Sequence, residues 1–242
     1  MKKIIPTLLL GLAAAASLPT YATPIATTID LDTVFTGATP SGPPPWLTAT
    51  FTADTTSNTG TLTLISKLTG SDFVQGLQNS NAAVGWAFFV DTGIASVTCT
   101  GGNNCADNAL FDDTFNGGPV GNSWNLAFGW LSNDRFGAGD TAIYDITFDS
   151  NLTAGSPFGT NTDDKVGGWL SVAHIQGIGP RGCSGWIVGG DGNGAQGADE
   201  QCSNVSVPEP SVLGMFGLGT LLIGLFAGLR PRLYRDHNAS SC

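Results

Sequence analysis

Apolar and polar residues alternate with a period of two along most of this chain, as they do in strands that bury one face. In residues 47–54, Leu47, Ala49, Phe51 and Ala53 alternate with Thr48, Thr50, Thr52 and Asp54. In residues 142–149, Ala142, Tyr144, Ile146 and Phe148 alternate with Ile143, Asp145, Thr147 and Asp149. Near the N-terminus, Ile25, Ile29, Leu31 and Phe35 fall on one face opposite Asp30 and Asp32. Val84, Trp86, Phe88 and Val90 line another face, and so do Trp124, Leu126, Phe128 and Trp130. Residues 165–178 and 184–188 complete a set of about eight or nine predicted strands. Turn-forming clusters separate them: GPPP at 42–45, SNTG at 57–60, GGNN at 101–104, NGGPVGN at 116–122 and GGDGNG at 189–194.

Thr, Val, Ile and aromatic residues are frequent between residues 23 and 206, while Glu, Lys and Arg are sparse. That balance favours strands over helices. Many short strands with no helical period predict an all-β, antiparallel β-sandwich or jelly-roll-like domain. A parallel β-helix is the rival architecture, but no fixed internal period supports it.

The ends of the chain follow a different pattern. Lys2 and Lys3 precede an apolar stretch at 4–18, and Thr20 and Ala22 stand at −3 and −1 of a cut after Ala22. This is the layout of a signal peptide over residues 1–22. An exported domain over 23–206 follows, one domain's worth of chain. Residues 212–229 carry no charge and as a helix would extend about 27 Å, just enough for a bilayer core. Arg230, Arg232 and Arg235 follow at once. The positive-inside rule holds that end, with the short tail 236–242, in the cytoplasm and the domain outside.

Charge and cysteines agree with export. Seventeen acids, all Asp but Glu200, oppose four bases (Lys67, Arg135, Lys165 and Arg181) over residues 23–206, a net charge of −13. Such a domain is expected not to bind nucleic acid, whose partners present basic patches. Cys99, Cys105, Cys183 and Cys202 lie in the domain, and Cys242 lies beyond the apolar tail. Behind a signal peptide an even count reads as disulfides, with three possible connectivities. Nearest-neighbour pairing is favoured, because CTGGNNC folds Cys99 towards Cys105 and a glycine-rich loop separates Cys183 from Cys202. Zinc is disfavoured by the wide cysteine spacing and by the domain's having one histidine, His174.

No catalytic constellation emerges, and the chain is expected not to be an enzyme. His174 alternates in phase with Leu170 and Val172 and reads as a hydrogen-bonded histidine in or beside the core. The adjacent acids Asp112 and Asp113, and Asp163 and Asp164, would point to opposite faces of a strand and so form no natural dyad. No cofactor is expected. Calcium is the one candidate, with Asp191, Asn193, Asp199 and Glu200 as oxygen ligands around the DGNGAQGADE loop. That loop departs from the EF-hand pattern at Ala195, Gln196 and Cys202. GGDGNG is a single copy of something close to a calcium-binding nonapeptide turn. A solvated loop pinned by a disulfide is the simpler reading. Among the six tryptophans (46, 86, 124, 130, 169 and 186), Trp46 and Trp186 are the candidates for exposure and for stacking on sugar.

Val207, Pro208, Glu209, Pro210 and Ser211, the apolar run and the arginine cluster together resemble the PEP-CTERM sorting signal of exported bacterial proteins. The resemblance covers residues 207–235 and does not extend to the domain. It implies recognition by an exosortase at Pro208, Glu209 and Pro210, after signal peptidase has acted at the other end. Passage through the inner membrane, processing near the motif, and release or attachment at the cell surface would follow. It also implies a Gram-negative bacterium that makes exopolysaccharide, biofilm or floc. An uncleaved single-pass anchor is the alternative for the same residues. The tail continues through DHNASSC, longer than the usual ending of such signals.

Overall fold

Sequences rich in threonine, β-branched and aromatic residues gain most from a pleated, half-buried surface. The computed structural model of the protein is built on that principle. It describes residues 24–76, 84–131, 134–152, 155–163 and 166–199. The expected signal peptide and sorting motif, the apolar run and the arginine cluster lie outside them.

Thirteen strands form among the described residues, with one 3-10 turn at Gly118–Val120 and no α-helix. They are β1 (Pro24–Leu31), β2 (Thr33–Gly37), β3 (Leu47–Asp54), β4 (Thr59–Ser66), β5 (Phe73–Val74), β6 (Trp86–Phe88) and β7 (Ile94–Gly102). Then come β8 (Asn108–Phe115), β9 (Trp124–Gly129), β10 (Thr141–Phe148), β11 (Trp169–Ile178), β12 (Cys183–Gly190) and β13 (Gly197–Ala198). One sheet has the order β1-β3-β4-β10-β7; the other runs β13-β2-β12-β11-β6-β9-β8, with β5 also paired to β11. Every pairing is antiparallel except β13 with β2. The domain is thus all-β and sandwich-like, as predicted.

The main core lies between the sheets. The five-stranded sheet contributes Ile29, Leu31, Ala49, Phe51, Leu62, Leu64, Tyr144, Ile146 and Phe148; the other contributes Trp86, Phe88, Leu126, Phe128, Ala173, Ile175 and Ile187. Rings pack edge-on within it, Phe51 against Phe148 at 5.9 Å and against Phe158 at 5.3 Å. Removing each such ring from water contributes roughly 1.5–3 kcal/mol. Phe51 fits only because its neighbour is Gly60, where a Cβ would lie 2.2 Å from the ring.

The larger sheet is buried on its outer face as well. Ala87, Ala127, Val172 and Val188 point opposite to the main core and join Phe35, Val84, Phe115, Val120, Trp124 and Trp169 in a second cluster. Residues 116–123, 160–163 and 166–168 lie over that face. Asn161 Nδ2 donates to Val120 O at 3.4 Å, and Trp169 Nε1 donates to Asn193 O at 2.9 Å.

The strands depart from the sequence expectations in three places. The alternation over 25–35 is two strands, not one: the chain switches sheets at Asp32, and Phe35 enters the outer cluster instead of joining Ile29 and Leu31. Val84 and Trp124 likewise leave the face of their partners at the mouths of β6 and β9. Finally, CTGG belongs largely to β7, and the reversal begins only at Asn103.

Candidate functional site

At the margin of the outer cluster, strand register aligns Thr36, Trp186 and His174 in one row across β2, β12 and β11, and Trp186 packs against that cluster. Trp186 and His174 stack almost in parallel, with centroids 4.5 Å apart and 15° between ring planes. Both are half-buried. Their positions are fixed from the main chain outward: His174 N donates to Gly85 O at 2.9 Å, and Gln176 Nε2 lies 3.5 Å from His174 Nδ1. Gln176 Nε2 also donates to Gln75 O at 3.4 Å. Gly118 (φ +59°) presses against the indole, and a Cβ there would sit 2.4 Å from Trp186 Cζ2. Only glycine combines that backbone conformation with so close an approach.

On the other side of Trp186, Thr36 Oγ1 donates to Gln196 Oε1 at 3.4 Å. Gln196 is held in place because its main-chain N donates to Phe35 O at 2.7 Å and β13 pairs with β2 just beyond it. Burial lowers the pKa of His174, so the imidazole is neutral at physiological pH. Its ring neighbours are an indole and an amide, neither of them a nucleophile or a carboxylate.

Trp46, expected at the surface, is buried at 4% exposure. The polyproline loop folds back over it, and its Nε1 donates to Gly42 O at 3.0 Å. Trp86, Trp124, Trp130 and Trp169 are buried too, which leaves Trp186 as the one half-exposed tryptophan. Asp191, Asn193 and Asp199 are exposed, and Glu200 lies outside the described residues. Among the described residues no three His, Cys, Asp or Glu side chains converge as a metal site would require. The 191–199 segment straps the sheet edge, with Asn193 N donating to Gly167 O and Asp199 N to Gly37 O.

Cys99 and Cys105 form the predicted disulfide, with Cα atoms 6.3 Å apart. Cys183 is disulfide-bonded as well, and Cys202 lies outside the described residues. Asp112 and Asp113 lie within β8 and accept main-chain N–H groups: Asp112 (φ +58°) takes that of Ile94 at 3.2 Å, and Asp113 that of Thr114 at 2.7 Å. Asp112 marks the irregularity where the β8–β9 register shifts.

Two polar networks had no clear sequence signal. Asp72, only 2% exposed, accepts Ser41 N at 2.6 Å and so ties down the polyproline loop. Asp140 gathers Asn103 Nδ2, Asn104 Nδ2 and Gly137 N around the disulfide hairpin. A shallow cavity of about 260 Å³ beside β1 is lined by Pro24, Ile25, Ala26, Thr27, Thr55, Gly155 and Ser156, none of them titratable. No protein-family model, curated protein or solved structure matches the chain.

Proposed function

We propose that this is an exported, non-enzymatic protein of the cell surface or extracellular matrix, sorted by an exosortase and associated with exopolysaccharide. The observation that carries the proposal is the order Val207-Pro208-Glu209-Pro210, eighteen uncharged residues, then Arg230, Arg232 and Arg235, paired with a signal-peptide pattern at the other end. The disulfides support it, because such bonds persist in oxidising compartments. In this reading signal peptidase removes residues 1–22, residues 212–229 hold the chain in the inner membrane, and exosortase processes it near Pro208, Glu209 and Pro210.

Mass spectrometry of the mature protein from its native host tests the proposal. The expected product starts at Thr23 and lacks the apolar run and the arginines. Intact tail peptides in the mature protein would make the segment a permanent anchor and defeat the sorting reading.

A second reading, a carbohydrate-binding module, is favoured by one specific observation. The half-buried Trp186 is held rigidly by His174 and Gly118 on a sheet face, instead of being packed in the core.

A further inference from the structure

We infer that the row Thr36–Trp186–His174, together with Gln196, binds an uncharged polysaccharide, one pyranose ring stacking on the Trp186 indole while its hydroxyls bond to Thr36 and Gln196. The inference rests on the polysaccharide-associated reading above and gives it a site and a ligand class.

Three features of the row support it. First, the indole is ordered before any ligand arrives, with His174 stacked on it at 4.5 Å and Gly118 packed over part of its benzo ring. Preorganisation of this kind lowers the entropic cost of binding. Second, the in-register neighbour on the far side of Trp186 is the short Thr36, so no bulky side chain at that position blankets the indole from β2. Because Thr36 Oγ1 gives its proton to Gln196 Oε1, the pair offers a ligand the amide N–H groups of Gln196 and the lone pairs of the threonine hydroxyl. An apolar ring face bordered by a few hydrogen-bonding groups is the general form of a small-molecule site, and it suits the C–H face and equatorial hydroxyls of a sugar.

Third, the charge pattern chooses among sugars. Thr36, Gln196, Ser184, Trp186, Gln176 and the neutral His174 carry no formal charge, on a domain whose net charge is −13. An acidic polysaccharide would be repelled by the domain as a whole and would meet no cation in this row. A neutral one loses nothing by approaching. The three strands set the row's length at roughly 10 Å, enough for a short stretch of chain lying across the strand direction.

Affinity electrophoresis of the exported, oxidised protein tests the site, in native gels containing dextran, hydroxyethylcellulose or laminarin, with alginate as the acidic comparison. Retardation by at least one neutral glucan and not by alginate is expected. Trp186→Ala should weaken it about tenfold, equivalent to ~1.4 kcal/mol. Gln196→Ala, at an exposed position, should weaken it severalfold, while Trp186→Phe should retain part of it. If Trp186→Ala does not give the wild-type near-ultraviolet circular dichroism, Gln196→Ala decides the matter alone. No retardation by any neutral glucan, retardation by alginate alone, or retardation unchanged in Gln196→Ala and in a folded Trp186→Ala overturns the site. The two proposals fail separately. A surface-recovered, tail-trimmed protein that no neutral glucan retards removes the site and leaves the sorting reading standing. Tail peptides in the mature protein remove the sorting reading and leave the site untouched.

Discussion

Tyr144 gives a spectroscopic handle on the core. The sequence holds three tyrosines: Tyr21 within residues 1–22, Tyr144 in β10 and Tyr234 beside the C-terminal arginines. Tyr144 is 1% exposed, its ring lies 4.5 Å from that of Phe128, and its hydroxyl accepts Ala106 N–H at 2.6 Å. Burial, only partly offset by that hydrogen bond and reinforced by Asp107, pushes its pKa up to about 12. At pH 11 an exposed tyrosine is about nine-tenths ionised, whereas Tyr144 would be about one-tenth ionised.

In a protein trimmed at both ends, absorbance at 295 nm should therefore stay flat through pH 10 and rise only towards pH 12. Because the folded pKa lies above the unfolded value of about 10, the contribution to stability is complete below pH 10. It is lost as the pH climbs from 10 through about 12, and amounts to roughly 3 kcal/mol for two units. Circular dichroism followed in parallel shows whether ionisation and unfolding coincide. A trimmed protein that ionises its tyrosine near pH 10 while keeping its native spectrum refutes the placement of Tyr144.

Four further substitutions probe the rest of the fold. Ser171→Ala removes the acceptor of the Trp86 indole N–H (2.9 Å) inside the large sheet, and the orphaned donor should cost about 1–3 kcal/mol in urea unfolding; a cost near zero would mean that the indole finds another partner. Gly60→Ala should overpack the Phe51 ring and cost about 1–3 kcal/mol, whereas Gly139→Ala, whose Cβ meets nothing within 4 Å, tests the cost of a positive φ by itself. His174 has a pKa lowered by burial, so its contribution is present above about pH 6.5 and falls as the pH drops from there through the folded value. His174→Gln should flatten the difference in melting temperature between pH 7 and pH 5.5, and an equal fall in both proteins would contradict the burial.

How much of this could be read from the chain depended on whether a strand buries one face or two. β3 and β10 each bury mainly one, and their alternation marked most of the buried set: Leu47, Ala49 and Phe51, then Ala142, Tyr144, Ile146 and Phe148, although Thr48 is buried too and Ala53 only half-buried. The large sheet is covered on both sides, so β6 reads as continuously buried Trp86, Ala87 and Phe88, and alternation no longer separates core from surface. β7 was overlooked for the opposite reason: half-exposed Ser, Thr and Gly residues give it little apolar rhythm. At the candidate site, Trp186 stood out from its glycine-rich surroundings. Its partners did not, because Thr36 and Gln196 are 160 residues apart in sequence and only the sheet joins them.

The acidity of the domain misdirects a reading for catalysis or metals, because most of the informative carboxylates already have work in the backbone. Asp72, Asp107, Asp112, Asp113 and Asp140 each accept a main-chain N–H at a loop or strand end, and Asp30 and Asp145 accept threonine hydroxyls across strands. With seventeen acids and four bases, ion pairing cannot be the main device that fixes these loops. Short acidic side chains closing turns can fix them, since Asp offers acceptors at the right reach without needing a cation. The cost is long-range repulsion, which ordinary salt screens over about 10 Å at 0.1 M. A surface organised in this way disfavours polyanions over most of its area. It makes an uncharged row such as Thr36–Trp186–His174 the place where a neutral chain can settle against the sheet without facing unpaired charge.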